Sequence, residues 1–131
     1  MPIIKVWGLP VVPDDLAAQL IKDVQQAVAK AEGLEIGADE VIVLYPADLY
    51  MADAGESIIA EICGIFRRPG RTPEVFKALC EDICHELAIF AYRYLPECKS
   101  ISASVAYTME PSDLTLLEKG PEGDFAKKVF T

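Results

Sequence analysis

Two groups of residues in this chain have the types and spacing for chemistry. The first is Met1-Pro2, which stands directly before the strand-forming run Ile3-Ile4-Lys5-Val6-Trp7. Removal of Met1 would leave a secondary amine at the edge of a sheet. An α-amine ionises near pH ~8, so it is close to half-charged at neutrality. Apolar walls or a neighbouring cation disfavour the ammonium form and lower that value, giving a general base that works near pH ~7. Proline also opens strands for a purely structural reason, because the N–H that it lacks would be unpaired there. The second group is Arg67, Arg68 and Arg71, within five residues of one another and immediately before a helix signal. Guanidinium groups in such a loop can clamp a carboxylate in a bidentate fashion, and the helix N-terminus adds aligned amide dipoles. The same loop also reads as a solvated basic patch in an acidic protein.

Other residues with chemical potential read mainly as structure. Glu61 lies within an apolar strand and is expected to meet a cation. Trp7 and Tyr107 suit core or interface positions, with Tyr107 kept as a secondary site candidate. Lys5 alternates with Ile4 and Val6, as the solvent side of a strand would. Cys80 and Cys84 share a helical face, but His85 points about 100° away from Cys84, so the trio does not form a metal site. No metal and no cofactor are expected. The four cysteines sit in apolar or helical contexts with no secretion signal before them, as reduced thiols do.

The elements that must position these groups form one domain over residues 1–131, with a C-terminal extension from about 108 to 131. Apolar residues make up 52% of the chain, above the roughly 45–50% usual for soluble domains. The net charge of −9 argues against nucleic acid and anionic membrane as partners. No apolar run is long enough to span a bilayer, and a cytoplasmic location is expected. Residues 2–7 read as a strand ending at Gly8. Pro13-Asp14-Asp15 opens a helix whose apolar face is Leu16, Leu20, Val24, Val28 and Ala31, stopped by Gly33. Val41–Tyr45 is a second strand. The order then repeats. Residues 57–66 form a strand apolar on both faces. Thr72 caps a helix with Pro73 at its first position and Val75, Leu79, Ile83, Leu87 and Phe90 on its buried face. Residues 101–107 form the last strand, with Ile101, Ala103, Val105 and Tyr107 on one side. A shift of 59 residues superposes Leu20 on Leu79, Val24 on Ile83 and Val28 on Leu87. The expected fold is an α+β two-layer sandwich of two β-α-β halves, with a four-stranded mixed sheet and two helices on one face. The other sheet face still carries apolar side chains and predicts a closed homo-oligomer. Leu114–Glu118 reads as a short helical turn in a polar tail.

With Met1-Pro2 opening a strand, a doubled β-α-β layout over about residues 2–107, and the loop Arg67-Arg68-Pro69-Gly70-Arg71-Thr72 before the second helix, the chain resembles the tautomerase superfamily of amino-terminal-proline enzymes. That group includes 4-oxalocrotonate tautomerase, malonate semialdehyde decarboxylase, cis-3-chloroacrylic acid dehalogenase and macrophage migration inhibitory factor. The resemblance implies a homotrimer whose three sheets enclose a barrel. It implies Pro2 as the catalytic group, a base in tautomerisation or a cationic acid in hydration and decarboxylation. The loop arginines, best matched at Arg68 and Arg71, would bind and polarise the carboxylate of a small substrate. The dehalogenase branch places a histidine near the end of helix one, where this chain reads Ala31-Glu32-Gly33; its only histidine is His85. Glu118 falls one residue from the place of that branch's water-activating carboxylate.

Three functions fit these residues: proton transfer on a small keto or unsaturated carboxylic acid, with decarboxylase and hydratase or dehalogenase variants; a non-catalytic oligomeric binding protein with Met1 retained; and a ferredoxin-like regulatory domain, which shares the element order. The first two accommodate a strand that begins at residue 2.

Overall fold

The computed structural model describes residues 1–47, 55–106, 108–109 and 117–127. The first half runs β1 (Ile3–Trp7), α1 (Asp14–Lys30), a 3-10 turn (Ala38–Glu40) and β2 (Ile42–Leu44). The second runs β3 (Ser57–Cys63), β4 (Ile65–Phe66), α2 (Pro73–Tyr94) and β5 (Ser100–Val105), followed by β6 (Thr108–Met109). The tail carries β7 (Leu117–Lys119) and β8 (Phe125–Lys127). The main sheet has the order β2-β1-β3-β5, with β1 parallel to β2, β3 parallel to β5, and the central pair β1–β3 antiparallel. This is the expected mixed four-stranded sheet made of two crossover units, with α1 and α2 on one face.

The periodicities that predict the elements also decide what they bury. Ile4 and Val6 of β1 and Ile58, Ala60 and Ile62 of β3 point to the helices and are essentially inaccessible. Leu20, Val24 and Val28 of α1 and Leu79, Ile83 and Leu87 of α2 meet them. These helical triplets are the ones that a shift of 59 residues superposes. Fully burying each such side chain is worth about 1.5–3 kcal/mol. Thr72 caps α2 by accepting from the Val75 N–H at 3.3 Å, with Pro73 just inside. Pro13 occupies the N-cap of α1, and Asp14 and Asp15 supply the carboxylates of the first turn.

Opposite the helices no described element covers the sheet. Ile42, Leu44 and Ile59 on that face are 39%, 45% and 41% exposed. Between them Trp7 donates its indole N–H to the Glu61 carboxylate, across the β1–β3 pair from Lys5. Ser100, Ser102 and Ser104 continue the face along β5.

Three expectations differ from the structure. The run 57–66 is not one strand: Gly64, with φ +78°, breaks it into β3 and β4, and β4 pairs with β6 instead of the main sheet. The last sheet strand stops at Val105. Leu117 and Glu118, read as part of a helical turn, belong to β7, because that segment pairs with β8 around the Gly120–Asp124 turn.

Candidate active site

Pro2 lies at the end of the sheet where β1 and β2 begin and β3 and β5 finish. It is buried, and its carbonyl accepts from the Ile42 N–H at 3.0 Å, which fixes the strand start. Ile3 faces Cys63, so the next residue on β3's side is Gly64. A Cβ at Gly64 would stand 2.6 Å from the Met1 carbonyl oxygen and 3.7 Å from Pro2 Cα. Only a glycine admits the N-terminal segment at this distance with this backbone. With Met1 in place the Pro2 nitrogen is a tertiary amide, with neither a basic lone pair nor a proton.

From Gly64 the chain leads through β4 into the arginine loop. The Arg67 N–H donates to the Met109 carbonyl at 2.9 Å and its Nε to Thr108 Oγ1 at 2.7 Å. Arg68 is exposed. The Arg71 N–H closes a turn on the Arg68 carbonyl at 3.0 Å. The Arg71 side chain turns inward, with Nη1 donating to the Phe66 carbonyl at 2.7 Å and Nη2 to the Leu34 carbonyl at 2.6 Å. Burial, then the neighbouring Arg68 charge, lowers the Arg71 pKa, while Glu35 and Glu40 pull the other way. The N-terminus of α2 follows directly, so its helix dipole adds positive character beside the basic loop.

The structure therefore brings Pro2 and the arginine loop to one end of the sheet, joined by two residues of β4. Glu118 lies in β7 opposite Ala126, and its side chain is outside the described residues, as is Tyr107. Two positions that shape the site lie outside the candidates read from the sequence. Gly64 carried a signal, a lone glycine in an apolar strand run, which marks a bend or a close backbone approach. Leu34 contributes through its carbonyl, for which no residue type is diagnostic. Burial, more than any other cause, raises the pKa of the Cys80 and Cys84 thiols, and among the described residues no group of three or more His, Cys, Asp or Glu is placed to hold a metal ion. Among the described residues no helix is long and apolar enough to cross a membrane.

No family sequence model matches the chain, and no curated protein sequence does. Solved structures do. A fused 4-OT described as an asymmetric trimer aligns with a TM-score of 0.65 at 15% identity, covering 94% of each chain. A macrophage migration inhibitory factor from Toxoplasma gondii aligns with a TM-score of 0.58 at 17% identity, covering 87% of this chain and 95% of its own. A macrophage migration inhibitory factor-like protein from Entamoeba histolytica aligns at 0.59 and 9% identity, covering 86% and 91%. Alignments of this extent, at identities this low, rest on the arrangement of the doubled β-α-β units: the chain has the tautomerase-superfamily fold.

Proposed function

We propose that this chain, with Met1 removed, is a proton-transfer enzyme of the isomerase type acting on a small keto or unsaturated carboxylic acid. The observation that carries this reading is the burial of Pro2 at a sheet end where Gly64 admits it and β4 leads straight to the arginine loop. A free Pro2 amine there would keep the apolar surroundings of the strand start and share its sheet end with guanidinium groups. Both effects favour the neutral amine. That amine takes the proton α to the substrate carbonyl, and the resulting ammonium returns it to the other end of the conjugated system. Arg68, with Arg67 beside it, holds the substrate carboxylate and opposes the negative charge that develops on the enolate. In the decarboxylase and hydratase variants the same nitrogen serves as a cation, polarising a carbonyl or delivering a proton.

The reading includes a homotrimer. Fused 4-OT structures in the same fold are trimers by description, and the uncovered face bearing Ile42, Leu44 and Ile59 is the surface available for self-association. A second reading is a non-catalytic oligomeric binding protein that keeps Met1. It is favoured by the close fit of the Met1 carbonyl over Gly64.

Enol–keto conversion of phenylpyruvate separates the two. Protein beginning at Pro2 should catalyse it, and protein blocked by Met1 should not. Equal activity in both forms excludes Pro2 as the base, and inertness of both toward a panel of small keto and unsaturated acids favours the binding protein.

A further inference from the structure

Arg71 is placed unlike Arg67 and Arg68. Those two are exposed, whereas Arg71 directs its guanidinium to two carbonyls on separate segments, Phe66 at the end of β4 and Leu34 in the connection from α1 to β2. Its backbone N–H also closes the turn on Arg68. We propose that Arg71 is a positioning residue, which locks the arginine loop to the α1–β2 connection and so sets where Arg68 presents its charge at the Pro2 end of the sheet. This rests on the reading of Pro2 and Arg68 as a substrate site, and assigns to Arg71 a role other than carboxylate ligand.

The connection that Arg71 grips has a demanding backbone. Gly33 has φ +85° and Glu35, a non-glycine residue, has φ +54°. A Cβ at Gly33 would stand 3.0 Å from Val75 Cγ2 and 3.3 Å from the Gly70 carbonyl, so this connection lies directly against the loop and the first turn of α2. A left-handed residue such as Glu35 persists when its surroundings hold it, and the hydrogen bond to the preceding carbonyl does so. The planar fork of arginine suits this task, since its two terminal nitrogens donate in fixed, divergent directions; a lysine ammonium is a point charge that does not reproduce both bonds at those angles. The Arg71 Nε–H has no partner among the described residues and is buried, closed to an anion arriving from solvent. Arg68, one turn away, carries its charge in the open.

The native full chain tests this by nitrogen-15 side-chain spectroscopy and amide hydrogen exchange. Without any ligand, the Arg71 guanidinium should show slowed rotation and proton exchange, and Arg68 should show fast averaging. In Arg71→Gln, amide exchange at the hydrogen-bonded N–H groups of Arg67 and residue 71 should rise at least about tenfold, and Arg71→Lys should recover part of the protection. In processed protein, Arg68→Ala should raise KM for phenylpyruvate with the smaller effect on kcat. Arg71→Gln should lower kcat as well, by up to ~100-fold, because it displaces a group that must be in register with the reacting atoms. An Arg71 guanidinium as mobile as that of Arg68 overturns the proposal. So does unchanged amide exchange in Arg71→Gln together with a KM effect alone. If wild-type protein is inert toward phenylpyruvate, the catalytic reading fails, while the exchange and side-chain measurements still decide the role of Arg71.

Discussion

An exposed guanidinium and a buried strand start make different demands on the fold, and single substitutions distinguish them. Arg68 is outside the core, so Arg68→Ala should leave the thermal midpoint nearly unchanged. It should weaken a carboxylate substrate or analogue by about 1.5–3 kcal/mol, the usual loss for a charge-assisted contact, as read by calorimetric titration; unaltered affinity would leave the loop as a solvated basic patch. A second residue supplies a pH signature unrelated to the site. Tyr45 donates its hydroxyl to the Ala17 carbonyl at 2.7 Å, and burial, then Asp23, pushes its pKa up to about 12 from 10.0. The folded state thus favours the neutral phenol more than the unfolded chain does. The resulting stability is fully present below pH ~10, the unfolded value, and is lost as pH rises through the folded value. Urea denaturation across that window should show wild-type stability declining, and Tyr45→Phe should lack this component of the decline. An identical pH dependence in both proteins would contradict the assignment.

At the scale of elements, the doubled β-α-β plan was legible because helical and strand periods select the buried faces directly: Leu20, Val24 and Val28 recur as Leu79, Ile83 and Leu87, and all six are buried. The positions of Pro2 and the arginine loop were legible for the same local reason, since strand start, loop and helix cap each have their own residue signals. The direction of the Arg71 side chain was not, because its acceptors are backbone carbonyls that any residue supplies. The β3–β4 break was missed because an isoleucine-rich run masks one glycine, and the β7–β8 hairpin because a three-residue strand is defined by its partner more than by its own sequence. Gly64 gives a prediction specific to this architecture. Gly64→Ala places a methyl group in a left-handed backbone, costing about 1–2 kcal/mol, and in Met1-bearing protein it also meets the Met1 carbonyl at 2.6 Å. Denaturation should therefore show a larger loss in the Met1-bearing form than in the processed form. Equal losses would mean that the segment before Ile3 does not pack on Gly64.

At the scale of the whole molecule, the uncovered sheet face is the surface on which the proposed self-association rests. Ile42, Leu44 and Ile59 surround a Trp7–Glu61 hydrogen bond opposite Lys5, which gives a mainly apolar surface with a polar centre. Light scattering should give the mass of a trimer at micromolar concentration, and Ile59→Lys, which puts a charge at that face, should reduce it. A stable wild-type monomer would contradict a face built for self-association. Fold alone does not establish catalysis, since one scaffold can serve both an enzyme and a binding protein. The decisive quantity is the ionisation of the Pro2 nitrogen in protein that begins at Pro2. Titration of proline-labelled protein by nitrogen-15 resonance should give a pKa below the ~8 of an ordinary α-amine, and kcat/KM for phenylpyruvate should rise through the same pH. A Pro2 amine that titrates at or above the ordinary value, or a rate that does not follow its titration, would contradict Pro2 as the catalytic base.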